Sequence, residues 1–102
     1  MYRVSVQYGT PDDPAEFDRY YRDVHIPIAK KMTGLTAWTL TWITDQADVP
    51  ADVYLIADLY ADSKEVMDAI LASDAGVAAA DDVANFATGG ATFLYGSEES
   101  VL

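Results

Sequence analysis

Tyr2-Arg3-Val4-Ser5-Val6-Gln7-Tyr8, closed by Gly9-Thr10-Pro11-Asp12 and followed by Asp13-Pro14-Ala15-Glu16, is the stretch from which the fold is read. Tyr2, Val4, Val6 and Tyr8 fall on one side of a two-residue period and Arg3, Ser5 and Gln7 on the other, the pattern of a strand with one buried face. The Gly/Pro break ends it. Asp13 is placed to cap a helix, Pro14 suits its first position, and Glu16 stands three residues after the cap. The chain therefore opens strand, turn, helix.

Outward from that unit, Phe17, Tyr20, Tyr21, Val24 and Ile28 recur at helical spacing and predict one apolar stripe. Pro27 lacks an N–H and disfavours helix in the residue before it, so a break or kink is expected at His25-Ile26, with the helix resuming at Pro27 and stopping at Gly34. Leu35 to Thr44 reads as a second strand with Trp38, Leu40 and Trp42 on one face. A polar connection over Asp45–Pro50 leads to a third strand, Val53 to Tyr60. There Val53, Leu55, Ala57 and Leu59 oppose Tyr54, Ile56, Asp58 and Tyr60. Asp62-Ser63-Lys64-Glu65 starts a helix reaching about Ala72. A short extra helix should follow Ser73-Asp74-Ala75-Gly76 and run toward Phe86, although Gly76 disfavours it. Thr88-Gly89-Gly90 turns into a fourth strand, Ala91 to Tyr95. Residues 1–96 form one domain and 97–102 a tail.

The order βαββαβ predicts an α+β, ferredoxin-like domain: a four-stranded antiparallel sheet with its helices on one face. The other face stays open. Strands two and three read as apolar or aromatic on both faces, so Trp or Tyr on the open face would leave an exposed apolar patch. Such patches mark association surfaces, and a homodimer formed through the sheet is expected.

Composition narrows the partners. Six Lys and Arg face seventeen Asp and Glu, giving a formal charge of -11, which repels the phosphates of nucleic acid and anionic lipid. Neither nucleic acid nor membrane is expected as a partner. The chain has no Cys, so disulfides and thiolate metal sites are unavailable. No stretch approaches the roughly 18 apolar residues needed to span a bilayer, and a cytoplasmic protein is expected. One His leaves no His pair for a metal site, so none is predicted. The acidic turn after strand one lacks the glycines of a phosphate loop, so no nucleotide cofactor is predicted.

Phe17-Asp18-Arg19-Tyr20-Tyr21-Arg22-Asp23-Val24-His25-Ile26-Pro27, continuing through Ala29-Lys30-Lys31 and Gly34-Leu35, resembles the EthD family. A second match runs over Ala72-Ser73-Asp74-Ala75-Gly76, Ala80 to Ala87 and Gly89-Gly90. The resemblance covers nearly the whole chain. It implies a dimeric α/β barrel, in which two such sheets pack face to face around pockets, and an accessory role beside an oxygenase system. Relatives sharing that dimer include polyketide cyclases, quinone-forming monooxygenases, lactone isomerases and haem-degrading enzymes. The motifs match EthD, so haem is not expected.

His25, the lone histidine, is the natural group for proton transfer near neutrality. Tyr21 precedes it by four residues and shares its helical face. In one reading His25 is catalytic; in the other, an imidazole N–H caps a backbone carbonyl freed by Pro27 and only fixes the bend. Asp82 could orient His25 by a carboxylate to imidazole hydrogen bond, leaving the other ring nitrogen for a substrate. Asn85 and Phe86 share its face at i+3 and i+4. His25, Tyr21 and Asp82 are thus the catalytic candidates. Ser5, Gln7, Trp38, Trp42, Asp58, Tyr60, Asn85 and Phe86 are the candidate contacts for a small, apolar, oxygen-bearing organic ligand. Asp58, inside an apolar strand, requires Arg3, solvent or a pocket, because an unpaired buried carboxylate costs several kcal/mol.

Overall fold

The computed structural model describes residues 1–44 and 52–102, so the connection read over Asp45–Pro50 lies outside the described residues. The order of elements is β1 (Tyr2–Gly9), α1 (Pro14–Tyr20), a π turn (Tyr21–His25), α2 (Ile26–Ala29), β2 (Ala37–Trp42), β3 (Val53–Ala61), α3 (Lys64–Ala72), α4 (Asp74–Asp82), a 3₁₀ turn (Val83–Asn85) and β4 (Ala91–Ser97). The sheet runs β2-β3-β1-β4 with every neighbouring pair antiparallel. This is the ferredoxin-like arrangement that the element order predicts. β4 reaches Ser97, which pairs with Tyr2, so the strand extends one residue into the expected tail.

The local signals act where the sequence places them. Asp13 accepts from the Glu16 N–H at 3.2 Å and Pro14 occupies the first turn of α1. Ser63 caps α3 by accepting from the Val66 N–H. Ser73 serves two helices: its hydroxyl donates to the Ile70 carbonyl at the end of α3 and accepts from the Gly76 N–H at the start of α4. One hydroxyl thereby turns the chain. Gly76 does not abolish the extra helix, because its lack of a side chain is what lets α4 close on α3. A Cβ there would lie 2.2 Å from the Ile70 carbonyl oxygen.

At His25-Ile26, where a break or kink is expected, the helix is interrupted by a π turn but does not break. His25 (φ -67, ψ -48) and Ile26 (φ -56, ψ -48) stay right-handed helical. The hydrogen-bond register instead slips by one, with the Ile26 N–H donating to the Tyr21 carbonyl five residues back. A π turn widens the helix by one residue, and the chain passes Pro27 without leaving helical space. The slip also sets Tyr21 and His25 inward, at 0% and 5% exposure.

The core lies between the helices and one sheet face. Val4, Val6 and Tyr8 of β1 pair with Leu59, Ala57 and Leu55 of β3, and all six are buried with Phe17, Met67, Ile70 and Phe86. Each fully buried side chain of this size stabilises the fold by roughly 1.5–3 kcal/mol. Trp38, Leu40 and Trp42 pair with the same three β3 residues, so both tryptophans face the helices and not the open side. Beside Ile56, Asp58 and Tyr60, the open face carries Thr39 and Thr41, and it is more polar than predicted. Exposed apolar surface collects on edge strand β4 instead, where Phe93, Leu94 and Tyr95 are 37%, 49% and 56% exposed. Tyr54 also departs from the simple alternation. Beside the irregularity at Tyr8/Gly9, it packs edge-on against Phe17 and Trp42 and donates its hydroxyl to Asp18 at 2.7 Å.

Candidate functional site

Two elements far apart in sequence meet at the end of the π turn. His25 Nδ1 stands 2.9 Å from Asp82 Oδ2, the last residue of α4. Both side chains are buried. The other carboxylate oxygen, Oδ1, accepts from the Tyr20 hydroxyl at 2.7 Å and from Asn85 Nδ2 at 2.9 Å. Asp82 is therefore held by groups from α1, the π turn and the 3₁₀ turn.

The charge states follow from these contacts. For Asp82 the strongest single influence is burial, which raises its pKa, but the three donors together outweigh it and hold the carboxyl below its ordinary range. It is ionised at neutral pH. For His25 burial is again the strongest influence, and here it lowers the pKa below the ordinary 6.5, although the bond to Asp82 and its charge pull upward. The neutral ring is therefore the major form at pH 7. A neutral imidazole beside a carboxylate donates from Nδ1, and Nε2 keeps its lone pair. No hydrogen bond to Nε2 is found among the described residues.

Aromatic rings fix the imidazole. The Phe86 centroid lies 4.7 Å and the Tyr21 centroid 5.1 Å from that of His25. His25 lines a pocket between helices and sheet. Val6, Tyr8, Tyr21, Trp38 and Leu59 are among its walls. The lining is mostly apolar, so it suits a small organic molecule with few polar groups. Burial raises the pKa of the Tyr21 hydroxyl, with smaller opposing influences from Trp38 and Tyr8, so it stays a neutral hydrogen-bonding group.

The structure sorts the predicted residues into four places. His25, Tyr21 and Trp38 line the pocket. Asp82, Asn85 and Phe86 stand behind the imidazole: Asn85, read as a ligand contact, braces Asp82, and Phe86 stacks within the core. Trp42 packs edge-on against Tyr21 under the guanidinium of Arg22. Ser5, Gln7, Asp58 and Tyr60 belong to the opposite sheet face, because they alternate with Val4, Val6, Ala57 and Leu59. Asp58 sits 3.6 Å from Arg3, which also contacts Glu98. The capping reading of His25 does not describe Nδ1, whose partner is a carboxylate and not a helix carbonyl. Tyr20 and Tyr8 were not singled out from the sequence; a tyrosine in an apolar stripe reads as core, and only the tertiary partner reveals the role of its hydroxyl. Among the described residues no group of three or more His, Asp or Glu is placed to hold a metal ion, and no helix is long and apolar enough to cross a membrane.

A ferredoxin-like α+β domain with a buried His–Asp pair at the edge of an apolar pocket is the class that fold and site define. Residues 10–90 match the family model described as EthD domain, and the chain belongs to the EthD family. It is 39% identical over 102 residues to an uncharacterised 11.0 kDa protein of the thcB–thcC intergenic region of Rhodococcus erythropolis, covering 100% of this chain and 99% of that one. Its structure is similar to that of an ethyl tert-butyl ether D (EthD) family protein from Bacillus halodurans, with a TM-score of 0.91, 28% identity, and coverage of 97% and 99% of the two chains. The fold also matches SnoaB, a cofactor-independent oxygenase from Streptomyces nogalater, at a TM-score of 0.69, 13% identity, and coverage of 99% and 95%.

Proposed function

We propose that this chain is a homodimer that binds a small, apolar, oxygen-bearing organic molecule in the pocket beside His25, and that His25 Nε2 moves a proton to or from it. Asp82 fixes the tautomer, as a carboxylate does for a directed base. One observation carries this reading: Nδ1 is tied to Asp82 while the ring lines an apolar pocket. Proton transfer of this kind is common to cyclases, isomerases and cofactor-free oxygenases, and the similarity to SnoaB supports chemistry without a resident cofactor. The dimer is supported by β4, an edge strand whose Phe93, Leu94 and Tyr95 are exposed. Such an edge pairs with or packs on another chain unless covered, and a second copy covers it with its own equivalent surface.

Two measurements test these parts. Sedimentation velocity at micromolar concentration should show a species of twice the chain mass; a monomer would contradict the dimer. Trp38 lines the pocket, so tryptophan fluorescence reports its occupancy. Titration with a panel of bicyclic ketones and phenols should give saturable changes, and a panel that leaves the emission flat would contradict ligand binding.

A further inference from the structure

Tyr21 Oη and Trp38 Nε1 are buried, and among the described residues neither meets a partner at full hydrogen-bond geometry; only weaker contacts from Trp38 and Tyr8 reach the Tyr21 hydroxyl. Both residues line the pocket that holds His25. A buried donor left unpaired costs about 1–3 kcal/mol, so two on one pocket wall point to an acceptor that arrives with a ligand. Trp38 Nε1 can only donate, and the neutral Tyr21 hydroxyl can donate beside it. Tyr8, 2% exposed, lines the same pocket. Its hydroxyl and the Trp38 N–H lie close enough to Tyr21 to draw the ionisation of that phenol partly back against burial. Three side-chain donors therefore belong to one pocket, whose lining also includes His25, tied to Asp82 through Nδ1.

We propose that Tyr21 and Trp38, backed by Tyr8, form a site for one acceptor oxygen, and that the substrate class is an apolar ketone which His25 enolises. A ketone presents both required features: an oxygen for the donors and an acidic α-hydrogen for the base. The reaction balances without an oxidant. His25 Nε2 takes the α-proton, the C–H pair becomes the C=C bond, and the carbonyl pair moves to oxygen, where the Tyr21 O–H and Trp38 N–H receive the developing charge. Return of the proton to carbon or oxygen regenerates the neutral imidazole. This inference rests on the reading of His25 as the pocket base.

The test compares 2-tetralone with tetralin, its hydrocarbon counterpart, by isothermal titration calorimetry, and follows deuterium incorporation at the α-carbons of 2-tetralone in D₂O by NMR. The wild-type protein should bind the ketone about tenfold tighter than the hydrocarbon, the worth of roughly one buried hydrogen bond. A Tyr21→Phe/Trp38→Phe variant should bind the two within about twofold and exchange the α-hydrogens more slowly. Equal affinities in the wild type, or a preference that survives both substitutions, would overturn the oxygen site. Ketone preference lost in the variant, but with no exchange by the wild type, would keep the oxygen site and overturn enolisation. Failure of both compounds to bind would overturn this inference together with the pocket reading. Thermal unfolding gives a second check: Tyr21→Phe removes an unpartnered hydroxyl, so the midpoint should hold or rise. A drop of several degrees would mark the hydroxyl as a structural bond and refute its role for a ligand.

Discussion

Replacing His25 by Gln is expected to slow α-hydrogen exchange of 2-tetralone by about 10²–10⁴-fold, the range ascribed to a positioned acid or base. Gln cannot accept a proton near neutrality, yet its size lets it occupy the space between Tyr21 and Phe86. Tetralin affinity should stay unchanged, because that hydrocarbon uses the apolar walls and not Nε2. Stability should fall by only about 1 kcal/mol, since a single hydrogen bond to Asp82 is altered. A variant that loses stability while exchanging the ketone at the wild-type rate would leave His25 a structural residue. NMR exchange rates with urea denaturation of the same preparation separate the two outcomes.

Asp82→Ala is expected to lower the unfolding free energy by roughly 2–3 kcal/mol, or the midpoint by roughly 10–20 °C. The carboxylate accepts three hydrogen bonds, from Tyr20, Asn85 and His25. Their donors do not suffer equally. Asn85 is exposed and Tyr20 half-buried, so both can turn to water. His25 is 5% exposed and cannot, and its stranded N–H supplies most of the loss. Removing one negative charge from a chain of formal charge -11 works in the opposite direction, but self-repulsion spread over the surface is weaker than a buried unpaired donor. Asp81→Ala, at the exposed neighbouring position, is the control and should stay within about 0.5 kcal/mol. Thermal and urea denaturation of the two variants check the difference, and an Asp82→Ala protein as stable as the control would remove the carboxylate from its central place.

Much of the fold is legible because its signals are local. The β1 alternation and the Asp13 and Ser63 caps act within a few residues, and they place the elements correctly. Two features depend on more than local signals. Pro27 forbids one hydrogen bond, but a stop and a π turn both satisfy that constraint, and the choice rests on burying Tyr21 and His25. Likewise the two-residue period puts Trp38, Leu40 and Trp42 on one face of β2 without saying which face meets the helices; the pairing with Leu59, Ala57 and Leu55 decides it.

The site divides in the same way. His25 stands out as the lone histidine, and Asp82 follows from a helical spacing and the family resemblance, although 57 residues separate them. The second acceptor oxygen of Asp82 is invisible in sequence, because the Tyr20 hydroxyl reaches it only after α1 and α4 have packed. Ser5, Gln7, Asp58 and Tyr60 read as lining a pocket that a second sheet would enclose on the open face; the strand register puts them on that face, away from the pocket beside His25, and there Asp58 meets Arg3.

The central claim is a neutral imidazole whose proton sits on the Asp82 side and whose lone pair serves the pocket. A pH titration of the ring nitrogens by ¹⁵N NMR tests it most directly, and with one histidine in the chain the signals need no assignment. At pH 7 the ring should be neutral with its hydrogen on Nδ1, and its titration midpoint should lie below the ordinary 6.5. An imidazolium at pH 7, or a neutral ring with its hydrogen on Nε2, would contradict the claim.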